Sequence, residues 1–210
     1  MKKEYLQEVP MFWDRVASVY DLFEDVYNGK VNRQLCDEVA ALIAPTDRVL
    51  ECACGTGMLS RNIADKCRSL TATDFSVGML RQAKKKCKDL NNIKFAKADI
   101  MRLRCKDGSF DKVIAGNVIH LLDEPYMALK ELERVCRIGG QIIIPTYVNN
   151  ENMGKPNLFV RLIEKAGAGF KCQFTYETYK QFYDKAGYTN IRYTLVEGKM
   201  PCAIAVITKQ

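Results

Sequence analysis

Val49-Leu50-Glu51-Cys52-Ala53-Cys54-Gly55-Thr56-Gly57-Met58-Leu59-Ser60 reads as a short buried strand, a glycine-bearing turn and the first turn of a helix. An apolar pair ends in the acid Glu51, Gly55 and Gly57 make the turn, and a helical pattern continues through Arg61-Asn62-Ile63-Ala64. Such a turn aims backbone amides and a helix N-terminus at whatever lies above the strand end. Glycine serves there because a side chain would hold a ligand off the backbone, or because the turn needs φ > 0. Ligands of open α/β sheets sit beyond the carboxyl ends of the strands, so the stretch offers a binding site before it offers chemistry.

Outward from it, strands and helices alternate. Helix 57–66 leads to strand 69–74, helix 77–88 to strand 92–97, and a turn at 106–109 to strand 110–116. Helix 125–137, with Pro125 at its start and Gly139-Gly140 past its end, leads to strand 141–146. That order predicts a parallel sheet covered on both faces. Upstream, Phe12, Val16, Val19, Phe23 and Val26 recur at helical spacing over 11–27. Asn28-Gly29 is a stop signal, and a second helix spans 31–43 before Pro45. Downstream, helices near 157–166 and 175–186 precede two strand patterns, 190–196 and 203–208, whose spacing suits an antiparallel hairpin.

At 210 residues, 48% hydrophobic and 27% charged, the chain suits one globular domain with a substantial core. Its nine cysteines lie scattered, several in apolar runs, and suggest reduced, mostly buried thiols and no metal site. The first residues carry no apolar block, and no apolar run nears the ~18 residues a membrane span needs. A cytoplasmic protein without integral membrane association is the expectation. The formal charge of +7 is most concentrated in Arg81-Gln82-Ala83-Lys84-Lys85-Lys86-Cys87-Lys88. With Met79, Leu80, Ala83 and Cys87 turned inward, those cations read as a solvated helix face, and no nucleic-acid partner is expected.

Three acids fall at strand ends: Glu51 on the first, Asp74 on the second and Asp99 just past the third. Asp74 lies 23 positions after Glu51. An acid there is placed to accept both hydroxyls of a ribose, so any adenosine-type cofactor would satisfy it. The only histidine, His120, follows the fourth strand, where it could act as a general base or cap the strand. Asn117 is a wall residue beside it.

Glu-x-Ala-x-Gly-x-Gly at 51–57, Ala72-Thr73-Asp74-Phe75-Ser76 with Met79-Leu80, and Lys97-Ala98-Asp99-Ile100 resemble the first three motifs of class I S-adenosylmethionine-dependent methyltransferases. Phe110-Asp111-Lys112-Val113-Ile114 and residues 132–140 resemble the later ones, and Trp13 to Asp21 is similar to the opening helix of the ubiquinone/menaquinone-biosynthesis (type 11) subgroup. The likeness is close over residues 11–147. It implies a Rossmann-like, seven-stranded, mostly parallel α/β sheet with an antiparallel C-terminal hairpin and helices on both faces. Residues 1–210 would form a single methyltransferase domain, with 1–44 a helical lid and 147–188 a substrate-side helical insertion.

The resemblance also implies S-adenosyl-L-methionine as cofactor. Glu51, Cys52, Ala53, Gly55, Thr56 and Gly57 would hold its methionine end, with Gly55 and Gly57 allowing close approach. Asp74 would take the ribose, Phe75 and Met79 would border the adenine, and Asp99 would accept the adenine amino group with Ile100 against the ring. Tyr20 and Trp13 are aromatic candidates to cover the cation or the substrate, and Asn117 would border the cofactor. Two departures stand out: Ala53 where many members carry a first glycine, and Ile138 where a proline is common.

The acceptor would be a small molecule. Phe159, Phe170, Phe174, Tyr176 and Tyr179 hint at an apolar or ring-bearing one, or belong to the core; a homodimer is left open. The rival of a nicotinamide-dependent oxidoreductase lacks the full Gly-x-Gly-x-x-Gly, since position 60 is Ser. A nucleic-acid methyltransferase would carry another run at Asn117-Val118-Ile119-His120, or a cysteine nucleophile nearer than Cys202. Arsenic methylation would need a cysteine group that the sequence does not show. A non-catalytic cofactor-binding subunit stays open beside the methyltransferase.

Overall fold

The first strand forms where the sequence places its apolar run, and a computed structural model describes residues 12–18, 20–149 and 171–210 around it. Helix α1 (12–16) is followed by α2 (Tyr20–Ala40), β1 (Arg48–Cys52), α3 (Met58–Ile63), β2 (Ser69–Asp74), α4 (Val77–Lys86) and β3 (Ile93–Lys97). Then come β4 (Phe110–Ala115), α5 (Pro125–Val135), β5 (Cys136–Tyr147), α6 (Tyr176–Lys185), β6 (Ile191–Val196) and β7 (Cys202–Thr208). Single 3₁₀ turns occupy Ala64–Lys66 and Ile119–Leu121.

The seven strands order as β3-β2-β1-β4-β5-β7-β6. β1 to β5 are parallel, and β7 runs antiparallel to both β5 and β6. Alternate side chains serve opposite faces, as a pleated strand requires. Leu50, Val113, Ile142 and Ile144 turn to α5 and α6, meeting Leu132, Tyr179 and Tyr183. Val49, Ile114 and Ile143 turn to α2, α3 and α4, meeting Leu35, Val39, Ile63 and Leu80. Both faces are therefore covered, which is why these strands read as continuous apolar runs. All nine cysteines are free thiols, seven of them buried.

Two boundaries differ from expectation. The N-terminal helical pattern breaks at residues 17–18, whereas Asn28 (φ −134°, ψ 18°) is non-helical and divides Tyr20–Ala40 into two helical stretches at the expected stop. Val31, Leu35, Cys36 and Val39 form the inner face of the second stretch, buried against the sheet. Gly139-Gly140 lies inside β5, which begins directly after α5 at Cys136. Pairing of Phe110 with Cys136 and of Lys112 with Gln141 leaves a bulge. Gly139 is left-handed (φ 71°) and donates its N–H to Lys209 O, and a Cβ on Gly140 would lie 2.8 Å from Asp111 O. The glycines thus serve a bulge fixed by distant strands. The helix expected near 157–166 lies outside the described residues, as do Val19, Phe159 and Phe170 and the side chains of residues 20–27.

Candidate cofactor site at the carboxyl ends of the parallel strands

The chain leaves β1 towards β2 and β3 on one side and later returns to β4 on the other, so the strand order reverses at β1. A crevice at such a point is where open α/β sheets bind ligands. Along this rim the sheet order lines up Asp99, Asp74, the Glu51–Gly57 turn and Asn117.

The turn owes its shape to a left-handed backbone at alternate positions: Ala53 (φ 52°), Gly55 (φ 55°) and Gly57 (φ 86°). The intervening Cys54 and Thr56 are not left-handed. This is the physical content of x-Ala-x-Gly-x-Gly, and it explains why a glycine would sit more comfortably at position 53. The two glycines do different work. A Cβ on Gly55 would meet nothing within 4 Å, so this position opens to the crevice. A Cβ on Gly57 would lie 3.0 Å from Ala83 Cβ, so Gly57 lets α3 approach α4 closely.

Glu51 lies under the turn, only 2% exposed, and accepts a hydrogen bond from Ser60 Oγ at 2.5 Å. Burial pushes its carboxyl up to about 8, against the opposing effect of the Ser60 bond and with added repulsion from Asp74. At neutral pH it is a largely protonated brace. Burial also pushes the thiols of Cys52 and Cys54 upward, so neither is a nucleophile. Thr56 is buried, and its Oγ1 accepts a long bond from Lys86 Nζ at 3.4 Å.

Asp74, 8% exposed, ends β2. Its Oδ2 accepts from Gly55 N–H and its Oδ1 from Ser76 N–H, both at 2.8 Å. Burial raises its pKa while those amides pull the other way. The carboxylate is thus rigidly oriented at the crevice, with lone pairs left for further donors. Phe75 is exposed beside it, with Lys97 Nζ 5.1 Å from its ring centre, whereas Met79 is buried. Asp99 Oδ1 accepts from Met101 N–H at 2.9 Å in the turn after β3, and Ile100 is buried in the core.

Asn117 is, among the described residues, the other left-handed position without a glycine (φ 51°), a conformation asparagine tolerates. Its Oδ1 accepts from Tyr147 N–H at 3.1 Å and ties the ends of β4 and β5 together. His120 is buried in the 3₁₀ turn, and burial lowers its pKa to about 4, which makes it a neutral and weak base in this state. Phe174 and Tyr179 belong to the core, with ring centres 5.5 Å apart and Tyr179 Oη–H donating to Ile144 O. Tyr20 begins α2.

One participant escaped the sequence reading. Asp14, in α1, accepts from Ser76 Oγ–H at 2.5 Å and from Gly78 N–H at 2.7 Å. The Ser76 bond is the main cause holding its carboxyl below the usual range, with help from Lys97 and Arg81. Ser76 caps α4 by accepting Met79 N–H and also holds Asp74, so one serine links α1 to the strand-end acid. A Cβ on Gly78 would sit 2.9 Å from Asp14 Cα, so only glycine permits this approach. Trp13 neighbours it, packed edge-on against Phe12 at 5.0 Å.

A family model described as a methyltransferase domain matches residues 50–144, which span this turn and all three strand-end acids. The demethylmenaquinone methyltransferase of Renibacterium salmoninarum is 35% identical over 144 residues, covering 67% of this chain and 59% of the relative. That of Mycobacterium sp. (strain KMS) is 30% identical over 161 residues, covering 76% of this chain and 68% of the relative. The chain belongs to the class I S-adenosylmethionine-dependent methyltransferase family, ubiquinone/menaquinone-biosynthesis type. It spans less than two thirds of the length of the first such methyltransferases it matches. The fold of this methyltransferase-family chain is shared with a solved DhpI–SAH complex at TM-score 0.73, with 19% identity and 96% of each chain covered.

Proposed function

We propose that the chain transfers the methyl group of S-adenosylmethionine to a small, ring-bearing acceptor of the demethylmenaquinone kind. The observation that carries the cofactor half is Asp74, fixed between Gly55 and Ser76 amides beside a glycine whose side-chain space is empty. A nucleoside fits there: the acid can accept ribose hydroxyls, and Gly55 leaves the backbone open to the rest of the molecule. Phe75 and Met79 would border the base with Ile100, and Asp99 would accept its amino group. Residues 51–57 would hold the amino-acid end, Asn117 would border the cofactor, and Tyr20 would cover the cation or the substrate. When bound, the group supplies an activated methyl on a sulfonium sulfur.

The protein's own task is to align the acceptor and exclude water, and such positioning contributes roughly 7–11 kcal/mol to rate enhancements. Docking of Asp14 on Ser76 and Gly78 supports a cover over the adenosine end formed by the 1–44 region. Residues 147–188 would supply the opposite wall of the acceptor pocket. His120, neutral and weakly basic, would take a proton only from an acceptor whose own proton is acidified in the complex. The acceptor class is supported by the demethylmenaquinone methyltransferases to which the chain is similar.

The test is transfer of a labelled methyl from S-adenosylmethionine to a short-chain, water-soluble demethylmenaquinol. Labelled ring product is expected. Label on a catechol or amine and none on the naphthoquinol would overturn the acceptor class. Tight binding of S-adenosylhomocysteine with no turnover on any of them would favour a non-catalytic subunit.

A further inference from the structure

Residues 77–106 hold ten lysines and arginines against two acids, a net of +8, whereas the whole chain carries +7. The rest of the molecule is therefore nearly neutral, and its entire excess charge lies on α4, β3 and the loop after it. β3 is the outermost strand on that side of the sheet, bonded only to β2. Arg81, Lys84, Lys85 and Lys88 on and beside α4, with Lys94 and Lys97 on β3, are exposed, and none forms an ion pair with a described residue. Nearby acids are engaged elsewhere: Asp89 with Arg61, Asp99 with Met101 N–H, and Asp14 with Ser76 and Gly78.

We infer that this edge is a docking surface for an anionic lipid bilayer. The cations are mostly lysines spread over a helix face and a strand edge, a diffuse field of point charges without the forked geometry that reads individual phosphates. The apolar face of α4 (Met79, Leu80, Ala83) is buried in the core, so the helix presents its charged side outward. At the end nearest the crevice, Val77 (48% exposed) adds apolar surface suited to the headgroup boundary. Surfaces for single-stranded nucleic acid instead set stacking aromatics among the cations, and among the described residues this edge exposes Phe75 alone, already beneath Lys97. The inference rests on the proposed function in one respect: a quinone-like acceptor resides in the bilayer, and docking there would bring the crevice to it.

Co-sedimentation of the full chain with phosphatidylcholine vesicles, with and without phosphatidylglycerol, tests the surface apart from any catalytic assay. Binding is expected only to the anionic vesicles at about 0.1 M salt, fading as added salt shortens the screening length. Each removed cation should weaken it about fivefold, so K84E/K85E/K88E should abolish sedimentation. That variant should melt like the parent and still methylate a soluble acceptor, which separates failure of docking from failure of the methyltransferase reading. No sedimentation of the parent with anionic vesicles would overturn the inference. Tighter binding to a nucleic-acid duplex than to the vesicles would overturn it in favour of nucleic acid, as would K84E/K85E/K88E binding vesicles like the parent.

Discussion

Replacing Glu51 by Gln should stabilise the protein at neutral and alkaline pH and do little in acid. The carboxyl is 2% exposed and its pKa rises from 4.5 to about 8. A raised folded value means the native state binds the proton more tightly than the unfolded chain. Stability from this group is thus complete below pH 4.5 and is lost as pH climbs through about 8. Each pH unit between those values is worth about 1.4 kcal/mol, so the loss is about 3 kcal/mol by pH 7 and about 5 kcal/mol beyond pH 8. Glutamine is uncharged throughout and can still accept from Ser60. Urea unfolding of both proteins at pH 4.5, 7 and 9 should show a gap opening from near zero to several kcal/mol in favour of the variant. A constant gap across that range would show that Glu51 is ionised at neutral pH and refute the reasoning.

Ala53→Gly should be tolerated within about 1 kcal/mol, because the left-handed backbone it relieves offsets the freedom a glycine gains on unfolding. Ala53→Val should cost about 1–2 kcal/mol or more, read as a lower melting temperature; equal melting of the two would dismiss strain at φ 52°. Asp14→Ala and Gly78→Ala should each release α1 and speed tryptic cleavage after the exposed Arg15; unchanged digestion would mean that the Asp14 contacts do not hold it. His120→Ala should lower turnover about 10²-fold or more without changing S-adenosylhomocysteine affinity if the imidazole takes the proton, and an unaltered rate would leave it a packing residue.

The alternating fold was readable because each element carries its own local code. Val49-Leu50 and Ile142-Ile143-Ile144 announce strands buried on both faces, and Thr175, whose hydroxyl accepts Thr178 N–H, starts α6 where the pattern does. What failed depended on partners far along the chain. Gly139-Gly140 resembles a helix stop, and only Asp111 and Lys209 reveal a bulge there. The Asn28 stop, by contrast, is local: its backbone is non-helical and divides Tyr20–Ala40 into two helical stretches. In the site, the spacing put Asp74 at the end of the second strand, where the fold has it. It could not show that Gly57 serves Ala83, nor that Asp14 reaches Ser76, 62 positions away. Aromatic side chains drew attention to Trp13 and Tyr20, while the acid between them carried the contact.

The central claim is that the crevice beside Asp74 binds an adenosine sulfonium. Calorimetric titration with S-adenosylmethionine, S-adenosylhomocysteine and NADH, repeated on Asp74→Ala, tests it most directly. The first two should bind and NADH should not, and the variant should lose about 1.5–3 kcal/mol for each charged hydrogen bond to the ribose. Binding of NADH alone, or full affinity for S-adenosylhomocysteine in a folded Asp74→Ala protein, would contradict the account.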